Sequence, residues 1–267
     1  MLVIGERLNS TRSSIREAIS QRNAAHILNE VKLQMDAGAE YIDVNCAATA
    51  GDELNDVDWI INVIQAEIPD VSLCLDSPNY LAIERGLKAY KGKGGLFINS
   101  ITAEDARIDV IMPLASQYGT KLIALTMNEK GMPETAGERL AIAEYIVERA
   151  HKAGFSAGDL YIDALVRPIS TEPVQAVEYL KSIKMIRGLG GGARTVCGLS
   201  NVSYGLPHRG LINSIFLAMA MTEGLDAAIT DPCEKHIAAS LAASNALMAG
   251  DEYCAEYIKA FRAGKLI

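Results

Sequence analysis

The chain has 267 residues, 49% of them apolar, with 33 acidic against 25 basic side chains and a net charge of −8. That length and apolar share suit one large core, and the acidic balance argues against nucleic acid as the main partner. Five scattered cysteines form no Cys-x-x-Cys pair, MLVIGERLN lacks the pattern of a secretory signal, and no apolar run is long enough to span a bilayer. Reduced thiols, a cytoplasmic location and no membrane association are the expectation.

Short β-type apolar runs alternate with longer helical patterns along the whole chain. Strands are predicted at Leu2–Ile4, Tyr41–Val44, Leu73–Leu75, Leu96–Ile98, Leu122–Leu125, Leu160–Ile162, Val196–Leu199 and Ala227–Thr230. Helical spacing fills the gaps, as in AAHILNEVKLQMDAG and GERLAIAEYIVERAHKAG. Ala37-Gly38, Tyr118-Gly119 and Ala153-Gly154 read as helix stops. Eight alternating β and α units imply parallel strands with helical crossovers, and eight closes a barrel. The fold class is therefore α/β, a (β/α)₈ barrel over residues 1–267, in preference to an open doubly wound sheet. No Gly-x-Gly-x-x-Gly follows the first strand, and the Gly-rich stretch 188–194 precedes a strand, so it reads as a loop on the opposite face.

Nearly every predicted strand runs into polar residues. Strand one leads to Glu6, Arg7 and Asn9, strand two carries Asp43 and Asn45, and strands three and four end at Asp76 and Asn99. Strand five reaches Thr126 and Asn128, strand six holds Asp163, strand seven leads to Ser200 and Asn201, and strand eight to Asp231. In a barrel all these ends lie on one face, where active sites are built. Period two puts Asp43 with Asn45, Phe97 with Asn99, and Leu199 with Asn201. Asp231 and Ser100 read better as helix caps. Asp43 and Asp163 sit inside apolar strand patterns, where a carboxyl must be paired or hydrogen-bonded.

This inventory is rich in amides and carboxylates and poor in nucleophiles. Metal ligation would need converging Cys and His, and Cys46, Cys233 and His208 lack recognisable ligand spacing, so no bound metal is expected. Asp and Asn side chains suit a flat heterocycle with alternating donors and acceptors, because an ionised carboxylate accepts two adjacent N–H groups at once. A pterin fits, as would a purine or flavin-like ring.

The motifs IGERLN at 4–9, DVN at 43–45, LCLDS at 73–77, INS at 98–100, LTMN at 125–128, LYIDAL at 160–165 and GLSNVS at 198–203 fall in order along the chain. With LINSIFLAMAM at 211–221 and DAAITD at 226–231, they resemble the methyltetrahydrofolate:corrinoid protein methyltransferase family of the pterin-binding barrels. The resemblance covers essentially the whole chain. It implies a methyl transfer between N5 of tetrahydrofolate and the cobalt of a separate corrinoid protein, in either direction, by a homodimer. By that resemblance Asp76, Asn99 and Asp163 bind the pterin and Asn201 lies beside N5, with Asp163 and Asp43 as its catalytic partners. Ser200, Glu6, Asn45 and Arg209 would line the same pocket. The chain lacks an Asp-x-His-x-x-Gly corrinoid motif, so the cobalt must arrive on a partner. Residues 204–208, Tyr-Gly-Leu-Pro-His, depart from the more polar residues expected there, and Ala164 stands where Pro is usual. Two other readings compete: a dihydropteroate synthase-like enzyme, and a non-catalytic folate-binding barrel of a corrinoid complex. The former wants a basic residue at strand seven, where this chain has Val-Cys-Gly-Leu-Ser-Asn.

Overall fold

The computed structural model describes residues 1–49 and 51–266. Eight parallel strands close a barrel in sequence order, β1 to β8. They are β1 Leu2–Asn9, β2 Tyr41–Asn45, β3 Leu73–Asp76, β4 Leu96–Ile101, β5 Lys121–Leu125, β6 Leu160–Asp163, β7 Arg194–Gly198 and β8 Ala227–Thr230. The helices are α1 Ser13–Ser20, α2 Ala24–Asp36, α3 Glu53–Glu67, α4 Tyr80–Ala89, α5 Asp105–Tyr118, α6 Ala136–Lys152, α7 Gln175–Arg187, α8 Arg209–Thr222, α9 Lys235–Leu247 and α10 Ala255–Arg262. All eight predicted strands are present. The expected stops also hold: Gly38, Gly119 and Gly154 follow α2, α5 and α6 with φ of +102°, +61° and +69°.

Alternation along the strands splits the core in two. One face of each strand packs against the helices, with Ile42, Val44, Leu73, Ile98, Ala124, Ile162 and Cys197 among the buried residues there. The other face fills the barrel interior with Ile4, Tyr41, Cys74, Phe97, Ile123, Tyr161, Val196 and Ala227. Phe97 meets Tyr41 and Tyr161 edge-to-face, each at 4.8 Å between ring centroids, which gives the barrel an aromatic floor.

β1 runs five residues beyond its prediction. Its register against β2 breaks between Gly5 and Leu8, a bulge that lets the strand continue to Asn9. Gly5 is required where α2 approaches: a Cβ there would lie 2.4 Å from Gln34 Oε1, which accepts the Arg7 N–H at 2.9 Å. β7 begins two residues before its predicted start and stops one residue before its predicted end. It ends at Gly198, and Leu199–Ser203 form a 3₁₀ turn. The stretch 188–194 lies between α7 and the start of β7, on the face opposite the strand ends, as expected. Among the described residues no helix is long and apolar enough to cross a membrane.

Candidate functional site

The interior residues of the floor fix what lies above them. Two residues further along each strand, on the same face, come Glu6 after Ile4, Asp43 and then Asn45 after Tyr41, Asp76 after Cys74, Asn99 after Phe97 and Asp163 after Tyr161. Six of the predicted site residues therefore converge at one barrel mouth. Side-chain bonds between strands tie them together: Asn45 Nδ2 donates to Asp76 Oδ2 at 2.7 Å, and Asn99 Nδ2 donates to Asp43 Oδ1 at 3.3 Å. Register explains the first pair, since Asn45 sits opposite Asp76, while the second spans β3, from Asn99 of β4 to Asp43 of β2.

The acids differ in charge because their surroundings differ. Asp43 is pushed well above the usual carboxylate range, first by burial and then by the Asp76 carboxyl beside it. Burial also raises Asp76, against the pull of the Asn45 amide. Two buried carboxyls side by side resist ionising together, so both are pushed toward the protonated form. Asp163 is raised to about 6 by burial, opposed by two backbone donors. Leu165 N–H reaches Asp163 Oδ1 at 2.7 Å and Gly198 N–H reaches Oδ2 at 3.3 Å. Each carboxylate oxygen keeps a lone pair free for a ligand. Glu6 is raised by burial, and the Ser200 hydroxyl donates to its Oε1 at 2.6 Å. The mouth thus offers an ionisable acceptor, carboxyls drawn toward the protonated form and several amides, enough to grip a planar ring that carries both donors and acceptors.

The 3₁₀ turn corrects the expectation for strand seven. Leu199 and Asn201 do not share a strand face: Leu199 is buried and Asn201 is exposed. Asn201 still reaches the mouth, because a Cβ on Gly198 would lie 3.0 Å from Asn201 Nδ2 and 3.8 Å from Asp163 Oδ2. Gly198 is a site residue that sequence reasoning missed. Arg209 opens α8 and is exposed. Its Nη2 donates to Ser200 O at 2.6 Å and its Nε to Ser203 Oγ at 3.0 Å, so it braces the turn from outside.

Other candidates have structural roles. Asp231 does not cap a helix; it pairs with Arg7 at 3.0 Å and accepts the Cys233 N–H, while Glu234 caps α9. Ser100 lies within β4 and caps nothing, since α5 begins after Glu104. Asn128 closes a tight turn with Gly131. Cys46 is buried in the helical layer, Cys233 Sγ points at Leu33 O, and His208 is exposed before α8, so the three do not gather. Sequence reasoning also missed Arg107 of α5. It donates to Ser77 O, Pro78 O and Ser100 O at 2.9, 2.6 and 2.8 Å, holding the chain just after Asp76 and Asn99.

Comparison with known proteins agrees with this geometry. The pterin-binding enzyme family model matches residues 5–231. The chain is 34% identical over 269 residues to the methylcorrinoid:tetrahydrofolate methyltransferase of Eubacterium limosum, covering 100% of this chain and 98% of that one. It is 29% identical to the methionine synthase of Mycobacterium tuberculosis, over 86% of this chain but 20% of that protein. Among solved structures, dihydropteroate synthase from Yersinia pestis superposes with a TM-score of 0.69 at 17% identity, covering 93% of each chain, which is a likeness of fold.

Proposed function

The chain belongs to the pterin-binding enzyme family, in its methyltetrahydrofolate:corrinoid methyltransferase branch, and from that premise we propose that it carries a methyl group from a methylated corrinoid protein to N5 of tetrahydrofolate. One observation carries the reading. Asp43, Asn45, Asp76, Asn99 and Asp163 share one barrel mouth, in a chain alike over its full length to a protein named for this transfer. The name of that relative, methylcorrinoid first, supports this direction over the reverse.

In this reading Asp163 accepts the paired N–H donors at one edge of the pterin, and such charge-assisted bonds are the strong ones. Asp76 and Asn99 bind the ring beside it. Asp43 accepts from the Asn99 amide and so sets how that amide faces the ring, and Asn45, Glu6 and Ser200 hold these groups in register. The methyl carbon is attacked by the N5 lone pair. The electron pair of the cobalt–carbon bond returns to the cobalt, leaving Co(I) on the partner. The proton on N5 must then leave, and Asn201, which both donates and accepts beside Asp163, stands where it can pass it on. In reverse, the same pair would donate to N5 as negative charge grows there. The remaining contribution is positioning, which can supply several kcal/mol.

Two finer features belong to the same reading. The outer face of α8 exposes Leu211, Ile215 and Met219, and α9 buries only Ile237 and Ser244, which fits a second copy of the chain in a homodimer. The reduced cysteines fit a cytoplasmic enzyme.

The decisive experiment mixes the chain with methylated corrinoid and tetrahydrofolate, following Co(I) absorbance and the formation of 5-methyltetrahydrofolate. It is run in both directions. No exchange either way refutes the proposal, and formation of pteroate from its precursors would favour the dihydropteroate synthase-like alternative.

A further inference from the structure

Arg139 has no place in the site described so far. It stands in the first turn of α6 with its side chain fully buried. A guanidinium stays charged at any working pH, so burying one requires dense hydrogen bonding. Arg139 Nη1 donates to Glu134 O at 3.2 Å, and Nη2 donates to Leu165 O at 3.3 Å and Gln175 Oε1 at 2.5 Å. Gln175, at the start of α7, donates in turn to Glu134 O at 3.1 Å. All the acceptors are neutral. The guanidinium therefore joins the segment before α6 to the segment after β6 without spending its charge on a carboxylate.

The segment after β6 is the one that holds Asp163. The residue whose carbonyl Arg139 grips, Leu165, is the same residue whose N–H binds Asp163 Oδ1 at 2.7 Å. Leu165 has φ of +57°, a left-handed conformation that a leucine keeps only when its surroundings impose it. We infer that Arg139 is a positioning residue for Asp163: through the Leu165 turn it sets where the carboxyl points, and its charge favours the ionised form that a pterin's paired donors require.

The electrostatics agree with the geometry. Burial drives Asp163 upward, and Arg139 is the cation that opposes it. The other titratable groups facing Asp163 are Cys197 of β7 and Tyr179 of α7, and burial holds both neutral. Glu178, Glu138 and Arg167 are the charged neighbours of Arg139. The Glu178 carboxylate is already engaged by Ala136 N–H and Lys181 Nζ.

This inference rests on the pterin reading of the mouth, and its test keeps the two apart. The full chain is titrated calorimetrically with 5-methyltetrahydrofolate from pH 5 to 8, as wild type, Arg139→Met, Arg139→Lys and Gln175→Glu. Circular dichroism checks folding. Wild-type affinity should fall on acidification through about pH 6. Arg139→Met removes the charge, and Gln175→Glu places a counter-charge against it, so both should move that midpoint upward by roughly one unit. Arg139→Lys keeps the charge without the fork; it should weaken binding several-fold with the midpoint unmoved, about as expected for misaligned hydrogen bonds. Folded Arg139→Met and Gln175→Glu variants with the wild-type midpoint overturn the role of Arg139, and if Arg139→Met does not fold, Gln175→Glu decides alone. A wild-type chain that binds no folate overturns the proposed function instead.

Discussion

Replacing Asp163 by Asn tests the site most directly, because shape is kept and charge is lost. In the wild type, Leu165 N–H and Gly198 N–H each bind one carboxylate oxygen. An Asn can satisfy only one of them and turns an amide N–H toward the ligand's donors. The loss of a charged hydrogen-bonding partner is worth roughly 1.5–3 kcal/mol, or about a 10- to 150-fold weaker folate complex. The pH profile adds a sharper mark. With Asp163 raised to about 6, wild-type affinity should drop about tenfold per unit below that pH, and the Asn variant should be flat over the same range. Stability has the opposite sign. A carboxyl whose pKa is raised by folding holds its proton more tightly in the folded chain. Its contribution is fully present below its ordinary value of 3.8 and is lost as pH rises through about 6. That loss is roughly 3 kcal/mol, and the Asn variant should lack it. Calorimetric titration and urea denaturation between pH 4 and 8 measure both effects. Wild-type binding that stays level down to pH 5, or an Asn variant that binds as tightly as wild type, would refute the assignment of Asp163 as the charged acceptor.

Asn201→Ala should slow methyl transfer roughly 100-fold or more while leaving folate affinity nearly unchanged, as single-turnover cobalt spectra would record. Gly198→Ala places a Cβ 3.0 Å from the Asn201 amide, so that amide must move by a few tenths of an ångström. Transfer should fall about tenfold with the fold intact, read from the same spectra and from thermal melting. Arg107→Met leaves three carbonyls without their shared donor and should cost about 2–4 kcal/mol in urea denaturation, with weaker folate binding through Asp76 and Asn99.

How far the molecule could be read in advance depends on how local the signal is. The strands were legible because each is a short apolar run closed by turn residues, and barrel interiors accept little else. Glu6, Asp43, Asn45, Asp76, Asn99 and Asp163 were legible because a polar residue at period two from a buried one has one place to go. The end of β7 was not. Val-Cys-Gly-Leu-Ser reads as continuing strand, and only the folded chain shows that it turns at Gly198, leaving Leu199 buried and Asn201 over the mouth. Arg107 and Arg139 left no mark in the sequence at all. Each sits in the first half of a helix whose pattern is ordinary, and their partners, backbone carbonyls and for Arg139 also the Gln175 amide, are brought to them by the folded barrel. The run LINSIFLAMAM at 211–221 does not by itself say which of its residues meet the core. One face of α8 packs inward with Phe216, Leu217 and Ala220 while Ile215 and Met219 face out.

The interlocked rings of Tyr41, Phe97 and Tyr161 have a kinetic consequence. They plug the lower end of the barrel, so a vitamin-sized guest has a single doorway. In the proposed reaction, a carrier protein seated on that doorway to present its cobalt would also shut it. Folate would then arrive first and depart last, and steady-state traffic through the enzyme should obey a compulsory sequence, with excess carrier trapping whichever folate is already inside.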